Sequence, residues 1–211
     1  MAFEILPAEA KDAAQFADVF IAAFDDEFNR TMFPHTPEIR NWLTAEFFGA
    51  GMAQSVAGQG YETFIKFVKA SDPAAIVAFA KWKRPVPADH DSRAHEDAEE
   101  DNMDFPEGCD AELCGRFLGA MDEQHQKWMG ERPHYYLDLL GVHPAYQGKG
   151  LATKLLEWGI SRADESRVEV FLSASPQGKP LYEKYGFRSV DSFNPFPGYE
   201  QVSMVRPAKK D

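Results

Sequence analysis

The stretch that most restricts the fold runs from Tyr135 to Ala163. It opens with Tyr135-Tyr136-Leu137-Asp138-Leu139-Leu140-Gly141-Val142, an aromatic and then aliphatic run of strand character. Pro144 ends that run, and Gly148 and Gly150 follow in a short loop. From Gly148 to Ala163, Leu151, Leu155, Trp158 and Gly159 share one helical face, with Ala152, Leu156 and Ile160 beside them. An apolar strand, a glycine loop and an amphipathic helix in that order require a sheet for the helix to lie on.

The flanking sequence supplies the other strands. Phe3 to Leu6 reads as a strand ended by Pro7. Ala8–Phe24 and Glu38–Phe48 carry helical spacing. Tyr61–Lys69 and Ala74–Trp82 read as a hairpin across Ser71-Asp72-Pro73. Ala111–Met129 reads as a helix, Val168–Leu172 as a strand, and Lys179–Lys184 as a short helix stopped at Gly186. Arg188–Asp191 and Gln201–Val205 close the series as strands. The order β-α-α-β-β-(insertion, α)-β-α-β-α-β-β predicts an α+β domain on one mixed sheet.

The 211 residues suit a single domain spanning 1–211. The net charge of −12 is concentrated in one place. Between Asp89 and Glu112, eleven acidic side chains (Asp89, Asp91, Glu96, Asp97, Glu99, Glu100, Asp101, Asp104, Glu107, Asp110, Glu112) face only Arg93. The chain is therefore read as a balanced domain with an acidic insertion at about 85–130. Phosphate-rich partners need basic patches, so no nucleic acid and no membrane surface is expected as a partner. The start, Met1-Ala2-Phe3-Glu4-Ile5-Leu6-Pro7, lacks the basic and apolar run of a secretory signal. Cys109 and Cys114 make no disulfide framework, so a cytoplasmic, reduced setting is expected. His90, His95, Cys109, Cys114 and His125 match no zinc spacing, and no metal is expected.

The loop itself carries chemistry. The first turn of a helix offers unpaired N–H groups and the positive end of a dipole. Gly148 and Gly150 have no side chains to keep an anion from those groups, and Lys149 adds charge. The pattern is no Walker loop, because Leu151 follows Gly150 where Lys and then Ser or Thr would stand. It also lacks the third glycine of a dinucleotide fingerprint.

Gln147-Gly148-Lys149-Gly150-Leu151-Ala152 resembles the Gln/Arg-x-x-Gly-x-Gly/Ala signature of the GNAT N-acetyltransferases. Leu140-Gly141-Val142-His143-Pro144 is similar to that family's acyl-CoA strand, and Leu181-Tyr182-Glu183-Lys184-Tyr185-Gly186-Phe187 to its second common motif. The resemblance covers about Tyr135 to Val190, while residues 1–84 agree only in element order. It implies a mixed, mostly antiparallel central sheet flanked by helices on both faces. It implies acetyl-CoA as co-substrate. Leu140, Gly141 and Val142 would then pair with the pantetheine arm, and the Val142 amide would steady the oxyanion. The amides of Gln147, Gly148, Lys149, Gly150, Leu151 and Ala152 would hold the pyrophosphate. Ser175 stands where many members carry an asparagine toward the pantetheine, and Gly178 stands where an alanine is common.

By spacing alone, Tyr182 reads as a core aromatic beside Tyr185 and Phe187. The resemblance makes it the acid that protonates the departing thiolate. Tyr136 lies closest to the position of the family's glutamate base. Asp138, on the same strand face, reads equally as a base or ammonium-attracting carboxylate and as a structural partner of a neighbouring strand. Phe28, Phe33 and His35 lie between the first two helices, where members often line the acceptor pocket. The implied activity is direct transfer of an acetyl group from acetyl-CoA to a primary amine of a small molecule in a ternary complex, by a monomer or homodimer. Two alternatives stay open: a protein or peptide acetyltransferase, which needs an open groove, and a non-catalytic acyl-CoA sensor.

Overall fold

Seven strands lie in one sheet in the order β1-β2-β3-β4-β5-β7-β6. The computed structural model describes residues 2–56, 61–86 and 105–210. The strands are β1 (Phe3–Pro7), β2 (Glu62–Lys69), β3 (Asp72–Lys83), β4 (His134–Val142), β5 (Glu169–Ala174), β6 (Arg188–Phe196) and β7 (Tyr199–Arg206). Every neighbouring pair is antiparallel except β4 and β5. The helices are α1 (Ala13–Ala23), α2 (Glu27–Met32), α3 (Pro37–Trp42), α4 (Ala50–Val56), α5 (Ala111–Trp128), α6 (Leu151–Ser166) and α7 (Lys179–Lys184). This is the mixed, mostly antiparallel α+β architecture expected from the sequence.

Strand alternation divides the core between the two faces. On one face α6 lays Leu151, Leu155 and Leu156 against Ala78, Ala80, Trp82, Leu137 and Leu172. On the other, α1 and its neighbours pack Phe16 and Phe48 over Phe64 and Phe79, with the Phe16 and Phe79 rings 4.6 Å apart. Polar pairs register these layers. Lys66 of β2 donates to Asp12 at 2.6 Å, and both are buried, so the start of α1 is held over the sheet.

Three elements differ from the sequence-based expectation. Residues 25–33 contain α2, whose start is capped by Asp26 accepting from the Asn29 amide at 2.9 Å. The expected helix Glu38–Phe48 is instead α3 followed by a π-helical stretch, Leu43–Gly49, leading into α4. The last two strands are longer than their apolar cores and meet in a tight hairpin with Gly198 at φ +77°. Polar residues and Pro195 hide β6 from a pattern search. Within the acidic range of 85–130, residues 87–104 lie outside those described. The later part is α5, which reaches β6 through Lys127 and Trp128, both bonded to Asp191.

The tightest contact across the α6 face is at Gly159. A Cβ there would sit 2.3 Å from the Trp82 indole. Gly159→Ala should therefore cost about 2 kcal/mol or more, lowering Tm by about 4–8 °C. An unchanged melting temperature would show that α6 is not seated on Trp82.

Candidate active site

Strands β4 and β5 pair only from His134↔Glu169 to Leu137↔Leu172. Beyond that point β4 continues along β3 as far as Val142↔Ala78, while β5 continues along β7 as far as Ala174↔Val202. The two parallel strands thus separate, and a cleft opens in the middle of the sheet. The His143 amide donates to the Val77 carbonyl across β3 at 3.0 Å. Backbone groups alternate sides along an antiparallel pair. The N–H and C=O groups of Leu140 and Val142 therefore face the cleft, and those of Gly141 face β3. The Gln147 side chain donates to the Val142 carbonyl at 3.2 Å.

A register shift sits beside the point of separation. Lys81 pairs with Leu139 and Trp82 with Leu137, so Asp138 is the extra residue of a β-bulge. Its Oδ2 lies 3.0 Å from Lys81 Nζ, which also lies 2.5 Å from Glu62 Oε1. Burial alone would raise the Asp138 pKa, but the charges of Lys81 and then Lys83 outweigh it and hold it below the usual carboxylate value. Burial acts to lower the pKa of Lys81, and its two carboxylates more than offset this.

The loop after β4 begins with a 3₁₀ turn at Pro144–Tyr146, where His143 Nδ1 accepts from the Ala145 amide at 3.2 Å. Gly148 and Gly150 adopt φ +72° and +76°, a region that side chains disfavour. No atom lies within 4 Å of where their Cβ atoms would stand, so the space in front of α6 is open. Lys149 bends back onto its own loop, donating to the Ala145 carbonyl at 2.9 Å over the Tyr146 ring.

Tyr182 on α7 is 9% exposed and packs edge-on against Phe187 at 5.9 Å. Burial pushes its phenol pKa up to about 12. Gly178 makes room for it, since a Cβ there would lie 2.9 Å from the Tyr182 ring. That contact accounts for glycine where alanine is common. The Ser175 hydroxyl accepts from the Gly178 amide at 3.2 Å and braces the same turn.

A cavity of about 860 Å³ joins these parts. It runs from the glycine loop along β4 to α1, α2 and α5. Of the residues singled out from the sequence, Asp138, Leu140, Val142, Gln147, Gly148, Gly150, Leu151, Ala152, Ser175, Tyr182 and Phe33 line it. Others are not on its wall. Gly141 turns its backbone toward β3, and Lys149 folds away. Tyr136 is buried in a separate cluster with Met129 and Phe171 and stacks near His125 at 4.7 Å. Phe28 is turned inward by α2 onto Tyr199 at 4.2 Å and Phe117 at 5.0 Å. His35 sits 3.7 Å from Asp25 near the surface. The wall also holds Lys81, Ser173, Gln201, Phe24, Phe47 and Phe117, which the sequence reading did not single out. Only Lys81 had a visible signal, a lone charge within an apolar strand.

The family model for the acetyltransferase (GNAT) domain matches residues 113–206, from α5 through β7. Residues 113–206 are thus matched as a GNAT acetyltransferase domain. A curated relative, the uncharacterized N-acetyltransferase YafP of Escherichia coli (strain K12), is 39% identical over 59 residues, covering 28% of this chain. The chain spans 37% of that relative's length. Solved structures share the fold over nearly the whole chain. A Drosophila melanogaster polyamine N-acetyltransferase that catalyses formation of N-acetylagmatine matches with TM-score 0.65 and 16% identity, covering 97% of this chain and 99% of its own. The PaiA N-acetyltransferase of Thermoplasma acidophilum, solved with coenzyme A, matches with TM-score 0.57 and 14% identity over 98% and 99%. A Corynebacterium glutamicum protein described as histone acetyltransferase HPA2 and related acetyltransferase matches with TM-score 0.59 and 20% identity over 100% and 99%. The cleft, the bulge and the glycine loop of this chain all lie within or beside the matched GNAT domain.

The Lys81 cluster gives a pH-dependent test. In the native chain the Asp138 pKa is lowered from 3.8. Its contribution to stability is therefore present above that value and is lost as pH falls below it. Lys81→Met removes the larger of the two charges that oppose burial and leaves Lys83, so the Asp138 pKa rises and the variant is penalised most where the carboxyl must be ionised, at the higher pH. The variant should lose about 3–5 kcal/mol at pH 8 and clearly less at pH 5, read by urea denaturation. Equal losses at both pH values would remove Asp138 from the cluster.

Proposed function

We propose that this protein is an N-acetyltransferase that moves an acetyl group from acetyl-CoA to a primary amine of a small molecule by direct transfer in a ternary complex. The reading takes the chain as one acetyltransferase domain with the acidic segment as its insertion. The observation that carries it is the meeting of three parts in one cavity: the cleft-facing backbone of Leu140 and Val142, the open glycine loop at the start of α6, and Tyr182. Two further facts favour it. A fold relative binds coenzyme A, and another acetylates polyamines.

In this mechanism the pyrophosphate lies on the amides between Gln147 and Ala152, and the pantetheine arm pairs with Leu140 and Val142 as an added strand would. The amine nitrogen attacks the thioester carbon. The Val142 N–H stabilises the oxygen as charge develops on it. The carbon–sulfur bond then breaks, Tyr182 gives its proton to the sulfur, and the extra proton left on the nitrogen passes through water to restore the phenol. Asp138 is a weak base because Lys81 holds it ionised. Its role is to draw the ammonium inward, and the amine loses its proton to water before attack.

Direct transfer is favoured over an acyl-enzyme by the state of the cavity's thiol. Cys114 donates to the Met32 carbonyl at 3.8 Å, and burial pushes its pKa up to about 12. Very little thiolate is available to attack a thioester. A small acceptor is favoured by the walls: among the described residues, α1, α2 and α5 all contribute side chains to the lining of the cavity.

Tyr182→Phe should lower kcat about 100-fold or more in a thiol-release assay while acetyl-CoA binds as before. An unchanged kcat would remove the phenol from the mechanism. Gly150→Glu should abolish acetyl-CoA binding by calorimetry, and tight binding would overturn the loop assignment. Because the phenol keeps its proton until about pH 12, wild-type kcat/KM should show no alkaline limb below about pH 9. A decline there that is missing in Tyr182→Phe would contradict the burial of this group.

A further inference from the structure

The acceptor end of the cavity differs in character from the donor end. Its wall is formed by Phe20, Phe24, Phe33, Phe47, Phe117 and Tyr199. These rings support one another. Phe20 lies 4.9 Å from Phe24, 6.0 Å from Phe33 and 5.8 Å from Phe47. Phe33 stacks on Trp42 at 6.0 Å, which fixes its orientation. The collar is therefore rigid before any ligand enters, and little side-chain freedom is lost on binding.

The carboxylates on the same wall are already engaged. Asp25 is bonded to Arg30 at 2.7 Å. Asp26 accepts from the Asn29 amide at 2.9 Å and from its side chain at 2.8 Å. Asp138 is held by Lys81 at 3.0 Å. Lys83 adds a second cation to the wall. One ammonium can be drawn toward Asp138, but among the described residues a second and third on the same molecule would meet mostly aromatic rings, Lys81 and Lys83. A sugar would bring several hydroxyl groups into a collar whose rings offer them few partners.

We infer that the acceptor is a primary amine carried on an apolar, ring-sized body, such as an arylalkylamine, in preference to a polyamine or an amino sugar. This rests on the transfer reaction proposed above and narrows its substrate class. The ring would stack within the phenylalanine collar, with the amine directed along β4 toward Asp138 and Val142. Offset and edge-on contacts of the kind already present among these rings would hold it.

The experiment compares 2-phenylethylamine, n-propylamine, spermidine and glucosamine with the full chain. Calorimetry in the presence of coenzyme A reads binding, and thiol release from acetyl-CoA reads turnover. Binding and kcat/KM for 2-phenylethylamine should exceed those for each of the others by about 10-fold or more. Phe117→Ala and Phe24→Ala should each raise KM for the aryl amine and shrink its advantage over n-propylamine. Circular dichroism melts identify any variant that has merely lost its fold, and the other variant then decides. Equal or tighter binding of spermidine or glucosamine would overturn the inference. Tight binding of the aryl amine without acetyl transfer would uphold the ligand class and overturn the transfer reaction.

Discussion

The cleft exists because two parallel strands stop pairing. Hydrogen bonds between β4 and β5 end at Leu137↔Leu172, and each strand then follows its other neighbour. In the interior of a sheet this leaves a row of backbone groups without strand partners, a costly arrangement when buried. Opening the sheet to a cavity relieves that cost, and it also presents Leu140 and Val142 as one edge of a strand that a ligand can complete. The glycine loop, the seat of α6 and the position of Tyr182 all take their place from this separation.

Charge stabilises the same region. Lys81 lies between Glu62 and Asp138 at the bulge, and Lys66 meets Asp12 on the strand beside it. Both lysines interrupt otherwise apolar strands, and both are matched by carboxylates from other elements. Buried pairs of this kind contribute little net stability, yet breaking one is costly. Their effect here is positional. One pair fixes where α1 begins over the sheet, and the other keeps the bulged residue ionised and directed at the cavity.

The glycine-loop half of the candidate site was legible in the sequence because it depends on neighbouring residues. Gly148 and Gly150 need left-handed backbone, Pro144 ends a strand, and an amphipathic helix follows, all within one short stretch. The succession of strands along the chain also followed from local patterns, except that Pro195 and polar residues disguised the full length of β6. The half lined by aromatic rings was not legible. Its wall combines Phe24 from the end of α1, Phe117 from α5 and Gln201 from β7, and no local pattern links them. Phe28 and Tyr136 were read toward the substrate because a resemblance gives a residue's place along the chain but not what covers it. A capped turn of helix at Asp26 turned the first inward, and α5 with the His125 ring covered the second. The bulge at Asp138 also escaped notice, since alternation assumes a register that one extra residue changes.

The position of β7 bears on how such a chain assembles. It follows the other described strands in sequence, yet it lies inside the sheet between β5 and β6. It also brings Gln201 to the cavity wall. Without β7, β6 has no neighbour among the described strands and one edge of β5 has no partner there. Insertion of β7 joins both at once and closes the floor of the site. The floor of the cavity is therefore complete only where the segment Tyr199–Arg206 joins β5 to β6.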